Sequence, residues 1–261
     1  MACAVPQWLR VWLAGAFLGL ILATHEVRAG LPEVVARIKP SIVVVGTFNK
    51  LRSPAFRLRG TGFAVGDGLT IATNVHVLPA ATDTDAQESL VVLVREGASL
   101  RQRQVRIETT DTDHDLALLK LSGTPLPPLT LKASESVREG QEIAFTGFPV
   151  GGALSFSPVS HRGVISALTP IVLPGGNAGE LNEKSIRRLR SGSFQVFQLD
   201  ATAYPGNSGG PMYDAETGEV LGIINMTFVK PTREAGLERP SGISFAIPAD
   251  YLIELLGRRR P

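Results

Sequence analysis

An all-β fold, a barrel or a pair of barrels, is what this sequence predicts, and three observations carry that expectation. Short runs rich in Val, Ile, Leu, Thr and Phe recur along the chain, each bounded by Gly, Pro, Asn or Asp. At least ten such runs can be counted, against one short helical pattern near the start and one at the end. The composition, 44% hydrophobic with 27 Gly and 18 Pro in 261 residues, suits one globular unit or two small barrels and excludes a disordered chain. Closing such strands on themselves removes their unpaired edges.

The formal charge is only +2. Residues 1–29 carry Arg10, Arg28 and Glu26, and without them 24 basic side chains face 23 acidic ones. No strong field results, so no nucleic-acid partner is expected. Residues 1–29 read as an export signal. Met1 to Arg10 holds one basic side chain, Val11 to Ala23 is an apolar run short for a bilayer span, and Val27-Arg28-Ala29 offers small residues to a signal peptidase. Cleavage after Ala29 is expected, giving a chain from Gly30 with no stable membrane insertion; the alternative is an uncleaved anchor. Cys3 is the single cysteine and leaves with the signal. The exported domain therefore relies on core burial instead of disulfides, and a bacterial periplasmic or secreted protein is the simplest fit.

Taken in order, residues 32–38 place apolar side chains at helical spacing behind a proline suited to a first turn, so a short amphipathic helix is expected, ended by Pro40. Residues 41–47 (SIVVVGT) form a β-branched run and a buried strand. Residues 49–59 are polar and basic with Pro54, and read as a surface loop. Residues 60–65 and 69–73 flank Gly66-Asp67-Gly68 and read as a hairpin. Those glycines superficially suggest a phosphate loop, but no Lys-Ser/Thr follows and no long helix opens. Further strands are expected at 91–94, 104–107 and 116–121. Residues 122–128 (SGTPLPP) look like a seam that divides a first half, 30–125, from a second, 126–261. Beyond it come strands at 142–148, 161–168, 194–200, 220–227 and 243–248. A terminal helix at 249–257 follows, with Arg258, Arg259 and Arg260 as a solvated tail. Residues 174–193 are a polar insertion whose Arg187, Arg188 and Arg190 could form a basic patch, though a solvated face is the simpler reading.

The stretch from Ala201 to Pro211, ATAYPGNSGGP, organises the chemistry. Gly206, Gly209 and Gly210 can take φ values closed to other residues, so the turn can expose Ser208 Oγ. It can also aim the Gly206 and Ser208 amides at one point, as a tetrahedral oxyanion requires. Asn207 adds its amide to the turn, and Gly206, Asn207 and Ser208 form the expected oxyanion group. Taken alone, the motif is equally a plain turn between strands. A nucleophile needs a base, and the base needs an orienting group. After residue 29 the histidines are His76, His114 and His161. His76 follows a strand and sits between valines, where a packed core role is the ordinary reading. Asp115 precedes a strand of buried character, where an unpaired carboxylate would be costly and an imidazole N–H would satisfy it. Asp111 and Asp113 read as solvated loop acids, and His114, directed away from Asp115 on a strand, as a surface residue. His161 has no sequence partner, and an exposed or hydrogen-bonded position is expected. Three separated histidines and no cysteine make no metal-ligand cluster, and no cofactor is expected.

Thr73-Asn74-Val75-His76-Val77, Asp115-Leu116-Ala117-Leu118-Leu119-Lys120 and Gly206-Asn207-Ser208-Gly209-Gly210-Pro211 resemble the three signature blocks of trypsin-like serine proteases, in their HtrA/DegP branch. Residues 60–63 (GTGF), 163–168 (GVISAL) and 244–248 (SFAIP) match that branch in the same order, so the resemblance spans about residues 31–250. It implies two six-stranded antiparallel β-barrels with the active site between them. His76 and Asp115 come from the first barrel and Ser208 from the second, in the chain order of that fold. It also implies a serine endopeptidase acting on exported or misfolded polypeptides. His76 is then general base, Asp115 its orienter, Ser208 the nucleophile, and the Gly206 and Ser208 amides the oxyanion donors.

Two departures stand out. Trypsin zymogens carry an acid before the nucleophile that pairs with a new N-terminus; Asn207 has no charge for such a pair, so activation by that route is not expected. HtrA proteins usually continue into PDZ domains, and none is expected here; homo-oligomers are common in the family, but nothing in the sequence supports one. By resemblance the specificity pocket is lined by Ala201, Thr202 and Ala203 with Asn225, Met226 and Thr227. No acid sits at its floor, so a small or medium aliphatic residue before the scissile bond is expected. The alternative function is a catalytically impaired binding or chaperone-like module on the same fold.

Overall fold

Two closed six-stranded barrels carry almost all of the regular structure in the computed structural model, which describes residues 30–79, 88–97, 99–149, 156–171, 194–225 and 242–258. The expected signal with Cys3, the 174–193 insertion, Met226, Thr227, Arg259 and Arg260 lie outside the described residues. The first barrel uses β1 (Ile42–Phe48), β2 (Phe56–Val65), β3 (Thr70–Asn74), β4 (Ser89–Glu96), β5 (Ser99–Asp111) and β6 (Leu116–Leu121). The second uses β7 (Glu142–Gly147), β8 (Val159–Ile171), β9 (Phe194–Asp200), β10 (Pro211–Asp214), β11 (Val220–Asn225) and β12 (Ile243–Pro248). Among the described residues the α-helices are α1 (Leu31–Ile38) and α2 (Ala249–Gly257). Around the barrels the strand orders are β1-β2-β3-β6-β5-β4 and β7-β8-β9-β12-β11-β10, the same circuit walked twice, with every neighbour antiparallel.

Local sequence explains the elements. β1 and β11 are continuous apolar runs because both faces are covered. At the β2–β3 hairpin, Gly66 and Gly68 take φ of +59° and +72°, and Asp67 Oδ1 accepts from Leu69 N–H at 2.9 Å. Burial pushes the Asp67 carboxyl up, but the Lys120 ammonium at 2.6 Å, the Leu69 amide and the Thr70 hydroxyl outweigh it and hold its pKa down at about 2. The loop expected at 49–59 is shorter than that: Phe56–Arg59 belong to β2, with Phe56, Arg57 and Leu58 paired to Phe48, Thr47 and Gly46 and Arg59 at a register shift. Phe56-Arg57-Leu58-Arg59 alternates apolar and basic residues, a half-solvated strand pattern that the charge concealed.

Among the described residues three apolar clusters hold the assembly. One fills the first barrel with Val43, Val45, Ile71, Val92, Leu119 and their neighbours. A second fills the second barrel with Phe145, Ile165, Phe197, Leu199, Met212 and Leu221. The third lies in the seam and draws on both barrels and both helices, with Val34 and Ile38 of α1, Phe63, Leu116 and Leu118 of the first barrel, Tyr213 and Ile223 of the second, and Leu252 and Leu255 of α2. Each such Leu, Ile or Phe stabilises the fold by about 1.5–3 kcal/mol on burial. The segment joining the barrels is stitched to both, since Leu129 N–H donates to Ala64 O and Lys132 N–H to Val220 O, each at 2.9 Å. On the seam-facing side of the second barrel Thr146 Oγ1 lies 2.8 Å from both Tyr213 OH and Ser160 Oγ.

The acidic loop before β6 differs from its expected solvated form. Asp111 ends β5 and is buried, accepting from His114 Nδ1 at 2.9 Å and the His114 and Asp113 amides. The His114 ring stacks on Tyr251 of α2 (4.0 Å, 18°) and meets Phe194 edge-on. Asp115 has φ +55°, so the alternation of a strand does not apply across His114 and Asp115. Asp113 is exposed, as read from the sequence. Arg258 is not a free solvated side chain either: its guanidinium bonds Glu254 at 3.1 Å and Asp111 at 3.5 Å.

Candidate active site

His76 leaves the first barrel on a 3-10 turn, Val75–Val77, at the end of β3. That turn is tied to the start of β6, where Asp115 O accepts from Val75 N–H at 3.2 Å and Asn74 Nδ2 at 3.0 Å. The left-handed backbone at Asp115 brings its carboxylate back onto the same turn. Oδ1 accepts the His76 amide at 2.9 Å, and Oδ2 lies 2.6 Å from His76 Nδ1. Asn225 Nδ2, from β11 of the other barrel, donates to Oδ2 at 2.7 Å. Three donors thus offset the burial of a carboxylate only 8% exposed. With Nδ1 donating, Nε2 becomes the ring nitrogen free to accept a proton.

Ser208 sits on the turn between β9 and β10, 5% exposed. Gly206 has φ +104°, and a Cβ there would stand 2.1 Å from Phe148 O; at Gly209 (φ +83°) it would stand 2.1 Å from Thr61 O. Only glycine fits either place. Asn207 N–H donates to Tyr204 O and Gly210 N–H to Asn207 O, both at 2.9 Å. The Asn207 amide is therefore used within the turn, and of the expected oxyanion group it is Gly206 and Ser208 that flank it. The first barrel grips the same turn through Thr61 of β2. Its N–H donates to Ser208 O at 2.8 Å and its hydroxyl to Gly206 O at 2.6 Å, while Phe148 N–H donates to that hydroxyl at 3.1 Å.

Two contacts bring the serine turn and the His76 turn together. A Cβ on Gly60 would meet Ser208 O at 2.8 Å and Val77 Cγ2 at 2.7 Å, so the two segments converge over that glycine. The end of β11 touches both halves of the site, with Gly209 N–H donating to Ile224 O at 2.9 Å while neighbouring Asn225 holds Asp115.

The remaining expected residues fall as follows. Ala201 and Ala203 pack with the core of the second barrel, and Ser244 Oγ links them, donating to Ala201 O at 2.8 Å and accepting from Ala203 N–H at 2.9 Å. Thr202 lies half-buried between them. Asn225 was expected among the pocket residues; it is fully buried, and its amide turns to Asp115. Thr61 and the Asp115-directed role of Asn225 were not read from the sequence. The available signals were a threonine between glycines in Gly60-Thr61-Gly62 and a buried-strand asparagine in need of a partner. His161 stacks on Phe145 (4.8 Å, 18°) and lies 3.5 Å from Asn207 Nδ2 through Nε2; burial pushes its pKa down.

The profile of the trypsin-like peptidase domain matches residues 60–223. A probable periplasmic serine endoprotease DegP-like of Halomonas elongata is 34% identical over 205 residues, covering 78% of this chain and 35% of that protein. A counterpart in Pseudomonas fluorescens is 32% identical over 197 residues, covering 75% and 34%. Human serine protease HTRA3 is 29% identical over 232 residues, covering 87% and 44%. The chain thus spans about a third to under a half of the length of these relatives. An HtrA-type protease solved with a tripeptide superimposes with a TM-score of 0.61 at 25% identity, covering 88% of this chain and 63% of that one. With the double barrel and the Asp115–His76 pair in place, these likenesses make the chain a member of the trypsin-like peptidase family, of the HtrA/DegP type.

Proposed function

We propose that the protein is a serine endopeptidase that cuts exported or misfolded polypeptides through Ser208, His76 and Asp115. The observation that carries this reading is the bond between His76 Nδ1 and Asp115 Oδ2 at 2.6 Å, on a turn that meets the Ser208 turn over Gly60. In this mechanism Ser208 Oγ attacks the scissile carbonyl carbon while His76 Nε2 takes its proton. The carbonyl electrons move onto oxygen, and that oxyanion is met by the Gly206 and Ser208 N–H groups. Asp115 keeps the ring in the right tautomer and stabilises the imidazolium. The imidazolium then protonates the leaving amine as the C–N bond breaks, giving an acyl-enzyme. Water gives a proton to His76 and attacks the ester carbonyl; the C–O bond to Ser208 then breaks, His76 returns that proton to Ser208 Oγ, and the carboxylic acid product leaves.

Export to the periplasm or outside the cell fits this reading, given the 1–29 segment and the periplasmic names of the bacterial relatives. Ala201, Thr202 and Ala203, with Met226 and Thr227 from the following segment, are the proposed walls of the specificity pocket, favouring small or medium aliphatic residues. A fluorophosphonate probe tests the reading. It is expected to label the wild type and to leave Ser208→Ala and His76→Ala unlabelled, and turnover of unfolded casein should fall by a factor of roughly 10⁴ or more in both variants. Labelling that survives Ser208→Ala would sink the assignment.

A further inference from the structure

We propose that His161 is a positioning residue for the oxyanion turn, holding the Asn207 side chain and through it the backbone on which the Gly206 and Ser208 amides sit. This rests on reading Ser208 as the nucleophile. Asn207 stands between those two amides and is 1% exposed. Its main chain is fixed on both sides, by its N–H to Tyr204 O and by Gly210 N–H to its own carbonyl. Its side chain has one polar contact among the described residues, the 3.5 Å approach of Nδ2 to His161 Nε2. Asn207 Oδ1 is buried with no hydrogen-bond partner among them, wedged where a Cβ on Gly147 would come within 2.8 Å.

The imidazole is itself held in place. The β7–β8 register sets His161 opposite Phe145, whose ring it covers, and Tyr204 of the serine turn lies 6.0 Å away on a tilted plane. Phe145 is fully buried in the second-barrel core, so the stack fixes the ring to a rigid wall. Burial favours the neutral ring. A neutral imidazole has one donor and one acceptor nitrogen and can therefore serve either end of the Asn207 amide. It accepts from Nδ2 as the amide stands. Turned over, the amide would place Oδ1 toward an Nε2–H and satisfy the buried oxygen. In both arrangements His161 is the group that decides the orientation of Asn207, and a turn that aims two amides tolerates little rotation.

The test uses the full chain and a fluorophosphonate, whose tetrahedral adduct places a phosphonyl oxygen against the same amides. His161→Phe keeps the stack on Phe145 and removes both nitrogens; His161→Gln restores a polar partner without the ring. Maximal labelling rate, half-saturating probe concentration and melting temperature are measured for each. His161→Phe is expected to lower the maximal rate roughly tenfold or more with the half-saturating concentration within about twofold, and His161→Gln to recover most of the loss. A His161→Phe protein that labels at the wild-type rate overturns the inference. So does a loss confined to half-saturation, or one that follows the folded fraction through the melting curve. A wild type that never labels would instead overturn the assignment of Ser208, and this inference with it.

Discussion

Asn225 of the second barrel donates its side-chain amide to the Asp115 carboxylate of the first at 2.7 Å, so the acid that orients His76 is held from both sides of the seam. The bond joins barrel docking to the chemistry of the site. Replacing Asn225 with Ala removes one of three donors from a carboxylate that is 8% exposed. The variant is expected to lose about 1–3 kcal/mol of stability and roughly tenfold or more in turnover per labelled site. Asn225→Asp sets a second carboxylate against Asp115 and is expected to be worse on both counts. Denaturant melts with active-site counting check this; an Asn225→Asp protein matching Asn225→Ala would contradict the geometry.

Gly206→Ala adds a methyl that would stand 2.1 Å from Phe148 O at φ +104°. The turn must move to accept it. Turnover is expected to fall by about 10²–10³, the cost of losing an oxyanion donor, while the barrels stay folded. Far-UV circular dichroism and fluorophosphonate labelling read the two effects separately.

Asp111 ties α2 to the first barrel through His114 and Arg258. Burial pushes its carboxyl up, but the His114 hydrogen bond and charge, the His114 amide and Arg258 outweigh this and hold it below the ordinary carboxylate value. Because the folded pKa is the lower one, its stabilisation is full above the unfolded value near 4 and fades as pH falls through the folded value. The stability gap between wild type and Asp111→Asn is therefore expected to shrink as pH falls below about 4. Urea titrations at stepped pH measure it, and a gap that widens on acidification would contradict the sign.

Tyr213→Phe removes one hydroxyl from the buried pair with Thr146, whose Oγ1 keeps Ser160 as a partner. A loss of about 0.5–1.5 kcal/mol is expected, with turnover per labelled site unchanged. Thermal melts and active-site titration check the two halves of the statement.

The features legible in the sequence are those specified by neighbours in the chain. The Val-rich run of β1, the Asp67 turn, and the glycines around Ser208 each declare a local conformation, and the structure has them where they were read. What stayed hidden depends on closure of the barrels. Thr61 meets Gly206, 145 residues away, and Asn225 meets Asp115, 110 residues away. No periodicity or spacing signals such partners. His114 was misread as a surface residue because the α2 ring that covers it arrives from the far end of the chain. Phe56–Arg59 were misread as loop because two arginines masked an alternating strand.

The order in which the barrels occur along the chain has a consequence for how the proposed site is put together. The imidazole and the carboxylate come first along the chain; the hydroxyl follows nearly a hundred residues later. Until β11 clasps Asp115 and Thr61 grips the serine turn, a chain with only its first barrel folded has no assembled site. On the proposed function, the site is complete only once both barrels have closed and docked.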